Sequence, residues 1–135
     1  MVYILDGMSD PFAIELEPEV RFWLESLPLE QYAKVEAAAD VLAERAETLG
    51  EPYSRHLAGK TRELRFHLHR RQVRLSYWLA PGRRVVLLTV FAKTRQQERG
   101  EVDRAIAAQQ ACEQGHAAGH PDHGPARNIY ERKWD

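Results

Sequence analysis

Arg65, His67, Arg74, Trp78, Phe91 and Lys93 lie within three runs of alternating or β-branched residues, paired at separations that put both members of a pair on one side of a strand. In an extended chain the side chains alternate faces, so Arg65 and His67 share a face, as do Arg74 and Trp78, and Phe91 and Lys93. If the intervening apolar residues face a core, these six groups converge on the other side of the sheet, with Lys60, Arg62, Arg95 and Arg99 around the rim. Arginine grips phosphate oxygens bidentately and aromatic rings stack on unpaired bases, which together are what a single-stranded RNA site needs. RNA can be cut without a metal when its own 2′-hydroxyl attacks the neighbouring phosphate, and the protein must then align the groups and stabilise the added charge. Arg65, Arg74 and Lys93 suit charge stabilisation. Arginine is too basic to take a proton at neutral pH, whereas imidazole titrates in the working range, so His67 is the candidate general acid or base. A structural or RNA-contacting His67 is the competing reading.

The elements that must position these groups are legible in the spacing. Leu64, Phe66 and Leu68 alternate with Glu63, Arg65 and His67, and Val73, Leu75, Tyr77 and Leu79 alternate with Arg74, Ser76 and Trp78. Both read as half-buried strands. Ala80-Pro81-Gly82-Arg83 supplies a type II turn into Val85–Ala92, whose continuous apolar run fits a central strand covered on both faces. Ahead of them, Pro11–Leu16 reads as a short strand. Pro18 then opens a helix carrying Val20, Trp23, Leu24 and Leu27, and Leu29, Tyr32, Val35, Ala39, Leu42, Ala46 and Leu49 form a second stripe ending at Gly50. Phe22 and Trp23 are expected to pack in this hairpin. Glu98–Cys112 reads as a third helix through Val102, Ala105 and Ile106. The expected fold is α+β: an N-terminal strand and helical hairpin on a small antiparallel sheet, with a C-terminal helix. Residues 1–112 form the domain, and 113–135, punctuated by Gly and Pro, read as a tail.

The 135 residues suit one domain, and the formal net charge of −1 conceals segregation. Residues 1–54 hold three bases against twelve acids, residues 55–99 hold twelve bases against only Glu63 and Glu98, and the remainder holds four against six. A strongly positive face follows, which calls for a polyanion or an acidic partner. No apolar run is long enough to span a bilayer, so no membrane role is expected. The amino terminus lacks a basic and apolar leader, and Cys112 is the one cysteine, which suits a reducing cytoplasm and a packing thiol. His116, His120 and His123 have a spacing that could hold a transition metal. Gly and Pro interrupt any helix aligning them, so neither a metal nor another cofactor is expected.

Five runs in order, Ser54-Arg55-His56-Leu57-Ala58-Gly59, Glu63-Leu64-Arg65, Arg74-Leu75-Ser76-Tyr77, Leu87 through Thr94, and Glu101-Val102-Asp103-Arg104-Ala105, resemble the RelE/HigB toxin family, and more narrowly its phage-derived, HigB-like branch. The similarity covers roughly residues 11 to 112. It implies a RelE-like fold, cleavage of messenger RNA in the ribosomal A site, and neutralisation by an antitoxin encoded beside it, usually a HigA-like helix-turn-helix protein. The matched positions are Arg65, Arg74, Phe91 and Lys93. The branch often has a second lysine after Lys93, where this chain has Thr94 and then Arg95. The family also tends to carry a catalytic Tyr, His or Asp near its end, for which His116, His120, His123 and Tyr130 are the candidates. Two other functions suit the same fold: a ParE-like inhibitor of DNA gyrase that cuts no RNA, and an inactive module that binds its antitoxin and tunes transcription.

Overall fold

A computed structural model describes residues 11–92, 98–117 and 127–129. Along the chain run β1 (Ala13–Leu16), α1 (Pro18–Glu25), α2 (Leu29–Glu44), β2 (Ser54–Ala58), β3 (Thr61–Leu68), β4 (Arg71–Ala80), β5 (Arg84–Ala92), α3 (Glu98–Ala117) and β6 (Arg127–Asn128). They form a six-stranded sheet in the order β2-β3-β4-β5-β1-β6. The α+β, RelE-like architecture stands, but the sheet is mixed. β2 through β5 are joined by tight turns and pair antiparallel, whereas β1 lies parallel to β5, with Ile14 beside Val85 and Leu16 beside Leu87. A parallel pair needs a long crossover, and the helical hairpin begins that connection.

The turns explain where the strands reverse. Gly82, at φ +84°, occupies the left-handed position that the Pro-Gly turn requires. Leu68 pairs with Arg71, leaving a two-residue loop in which His69 sits at φ 57°. Such a position favours Gly or Asn, and a histidine there carries some backbone strain.

One face of the sheet carries the large core. Leu64, Leu75, Tyr77, Val85 and Leu87 pack against Val20 and Leu24 of α1 and Tyr32, Val35, Ala39 and Leu42 of α2. Pro18 opens α1 as expected, and Ser26 closes it by donating its hydroxyl to the Trp23 carbonyl at 2.6 Å. α2 stops at Glu44 rather than at Gly50. The carbonyl of Ala43 accepts the Phe12 N–H at 2.9 Å, and the chain beyond bends in turns that keep Ala46 and Leu49 buried. Phe22 departs from expectation: it is 62% exposed, with Arg21 over its ring, while Trp23 is half-buried against the core.

The second face is covered by α3. A bulge at Ser76/Tyr77 sets Ser76 opposite Thr89 but Tyr77 opposite Leu87. Beyond it Trp78, Val86 and Leu88 lie under Cys112 and Ala108. β5 is therefore covered on both sides, as its apolar run predicts. α3 continues past Cys112 to Ala117, and residues 127–129 return to the sheet: Ile129 is fully buried, its N–H bonds Ile14 O at 3.1 Å, and its carbonyl accepts the Tyr32 hydroxyl at 2.9 Å. No helix among the described residues is long and apolar enough to cross a membrane.

Candidate active site

Strand register brings the predicted groups into one row. Arg65 on β3 lies opposite Arg74 on β4, and Arg74 lies opposite Phe91 on β5. His67 follows on the same face, opposite Gln72. Two guanidinium groups side by side repel, and the residue that resolves the repulsion is Glu63, two positions before Arg65. One of its carboxylate oxygens lies 3.6 Å from Arg74 Nη1 and 3.7 Å from Arg65 Nε. Arg74 also donates from Nη2 to Gln72 Oε1 at 3.1 Å, and its guanidinium stands 5.8 Å from the centre of the Phe91 ring, within cation–π range. Arg74 and Glu63 are 3% and 2% exposed, and each offsets part of the cost of burying the other's charge. The Arg65 side chain keeps 18% of its surface in solvent. Beside the cluster a cavity of about 230 Å³ opens between β2 and α3, bounded by Arg55, His56, Glu63, Arg74 and Val102.

His67 is exposed and Phe91 half-buried, so the accessible part of this face is the end near the β3–β4 turn. The other predicted residues distribute differently. Trp78 is 3% exposed beneath α3, packed with Cys112, and has no free ring face for a base. Arg62 belongs to the opposite face, because it alternates with Glu63. There its Nε donates to Ser54 Oγ at 3.2 Å and to Tyr77 Oη at 3.3 Å, which ties β2, β3 and β4 together. Lys60 is exposed but engaged by Glu113 of α3. Arg99 is exposed at the start of α3. Lys93, Arg95, His120, His123 and Tyr130 lie outside the described residues, as does the side chain of His116.

α3 is held across the face at both ends. Arg104 binds Glu19 of α1, Glu101 of its own helix and the Val90 carbonyl of β5, and the bond to Glu19 above all raises its pKa further. At the other end Lys60, followed by Gln109, holds the Glu113 carboxyl below its ordinary range. Between them the Cys112 thiol is pushed up to about 12, chiefly by burial, which leaves it neutral and unreactive. The packing role expected of Cys112 therefore matches its place.

Glu63 is the site residue that pattern-reading passes over. Two signals mark it: it shares the face of Arg65 and His67, and it is one of only two acids among the twelve bases of residues 55–99. Gln72 had no comparable signal, since its role depends on the register that sets it beside Arg74. No curated protein matches the chain. Residues 22–112 match the family model described as Phage derived protein Gp49-like (DUF891). This match spans more than half of the chain and includes the second half of α1, all of α2, the four antiparallel strands and α3 as far as Cys112. The chain thus belongs to the Gp49-like family of phage-derived proteins, a RelE/ParE-like toxin-type family.

Proposed function

We propose that this chain is the toxin of a toxin–antitoxin pair of the HigB-like kind, and that it cuts messenger RNA in the ribosomal A site without a metal. The observation that carries the reading is the cross-strand Arg65–Arg74 pair, flanked on one face by exposed His67 and half-buried Phe91. In this mechanism the 2′-hydroxyl gives up its proton and attacks phosphorus, the bond to the 5′-oxygen breaks, and that oxygen takes up a proton. The products are a 2′,3′-cyclic phosphate and a 5′-hydroxyl. Arg65, the more accessible guanidinium, meets the phosphate oxygens, and Arg74 behind it fixes the positive field where the phosphorane charge develops. His67 supplies or removes a proton at the reacting oxygens. Phe91 offers an aromatic edge to a base, and Lys93 two residues on adds a further cation.

The partner is an antitoxin, HigA-like with a helix-turn-helix domain, carrying an acidic or amphipathic segment that covers the cationic face. The working compartment is the cytoplasm, where ribosomes and reduced thiols coexist. The test is induction from a tightly repressed promoter in a bacterial host, followed by primer extension on cellular transcripts. New in-frame cuts within translated regions are expected, and Arg65→Ala and Lys93→Ala should abolish growth arrest while retaining antitoxin binding. Arrest with intact transcripts and DNA damage would establish the gyrase reading instead. The neutralisation of Arg74 by Glu63 favours one further alternative, an inactive regulatory module, for which no arrest would be seen.

A further inference from the structure

On the helical side of the sheet, around the tip of the β3–β4 hairpin, lies a second cavity of about 460 Å³. That size falls in the range of small-molecule sites, about 300–1,000 Å³. Its lining divides into three kinds of chemistry: apolar walls from Leu68 and Val73, a half-buried aromatic ring and an amide from Trp23 and Gln31, and a cationic rim from Arg70 and Arg71. Both rim arginines are exposed, and neither has a hydrogen-bond or ion-pair partner among the described residues. Other arginines are engaged by the fold: Arg62 by Ser54, Arg74 by Gln72, Arg84 by Glu15 and Arg104 by Glu19. What distinguishes Arg70 and Arg71 is that both uncommitted guanidinium groups stand at the mouth of one cavity, where their charge favours an anion. Arg70 sits in the two-residue turn after His69, which holds a left-handed backbone, and Arg71 opens β4 beside it. The cavity also connects with the candidate site. His67 precedes Leu68, and Leu68 pairs with Arg71, so a strand leaving Arg65 and His67 needs only to round the hairpin tip.

We propose that this cavity is a nucleotide subsite. An unpaired base of single-stranded RNA stacks on Trp23 with its edge hydrogen-bonded by Gln31, and Arg70 and Arg71 hold the flanking phosphates. The cavity then helps decide which base stands near the cut. The inference rests on the RNA-cutting reading above and adds a specificity element on the opposite side of the sheet.

The test uses the full chain and short fluorescent 2′-O-methyl RNA strands of single-base composition, which have no free 2′-hydroxyl and cannot be cut. Binding is measured by anisotropy across a salt series. In Arg70→Ala/Arg71→Ala, whose replaced side chains are exposed, the slope of log affinity against log salt should become shallower by about 1.4, as for two lost phosphate contacts on a single strand. Trp23→Leu should weaken binding about 5- to 150-fold, the loss of one stacked base. Gln31→Leu should flatten the preference among bases, and it serves as the readout if Trp23→Leu does not fold. His67→Ala should lose cutting in cells while keeping the wild-type salt slope and base preference, which separates the two readings. Unchanged affinity and salt slope in the cavity variants would overturn the subsite even where cutting persists. Wild-type protein that binds no strand would overturn it too, as would binding of a glutamate-rich, leucine-containing peptide in place of RNA. Binding through the cavity without any cutting in cells would sustain the subsite and sink the nuclease.

Discussion

Replacing Glu63 by Leu removes the carboxylate between two arginines. At 3.6 and 3.7 Å, each ion pair has a gross attraction of about 4–5 kcal/mol at an effective dielectric near 20. Desolvation offsets much of this, so the net value of the intact cluster is small, but breaking it is a different matter. Arg74 is 3% exposed and would keep its charge without that carboxylate, a situation that costs about 3–5 kcal/mol. For a chain of 135 residues, an unfolding entropy of about 2.1 cal/mol/K per residue converts this to a fall in Tm of about 10–18 °C. Circular dichroism melts would measure it. The paired variant Glu63→Leu/Arg74→Met removes both buried charges, and Arg65 still reaches solvent, so most of the loss should be recovered. A single variant that lowers Tm by less than about 3 °C, or a double variant no more stable than the single, would refute the reasoning. The double variant also separates stability from function: a folded protein that no longer arrests growth would assign Arg74 a role beyond holding the sheet together.

Cys112 should resist a disulfide reagent at pH 8 in the folded protein and react on unfolding, because burial pushes its thiol from 9.0 up to about 12; stoichiometric labelling within seconds would contradict this. The raised value also sets a sign: the stability it reflects is complete below about 9 and is lost as pH rises through about 12, so alkaline melts should decline across that window. Glu113 behaves oppositely. Its depressed value means that the Lys60 tether is intact above the ordinary carboxylate range and is lost as pH falls through the folded value, so amide exchange at the carboxyl end of α3 should quicken in acid, and Lys60→Ala should weaken that pH dependence, leaving the part due to Gln109. Tyr32→Phe should cost about 1–3 kcal/mol by leaving the buried Ile129 carbonyl without its donor, with faster exchange at Ile129 as the local readout.

Much of this protein can be read from its sequence because the relevant physics is local. The period-two alternation of Glu63–Leu79 dictates which residues share a strand face, and the Pro-Gly turn and apolar run of Val85–Ala92 dictate a hairpin and a central strand. The charge count by segment exposes the cationic stretch. The Arg65, Arg74 and Phe91 row is legible as one face, because side chains in a paired sheet have only two directions available. What the tertiary structure decided is which of those side chains remain accessible. Trp78 has the right face and the wrong end, since the packing of α3 over that end carries it into the second core. Glu63 becomes the counter-charge of two arginines only when register sets Arg65 opposite Arg74 and excludes water from between them. The return of residues 127–129 to β1 likewise depends on a partner more than a hundred positions away. Alternation fixes direction within a strand, but burial is a property of what packs on top, and that is set by contacts distant in sequence.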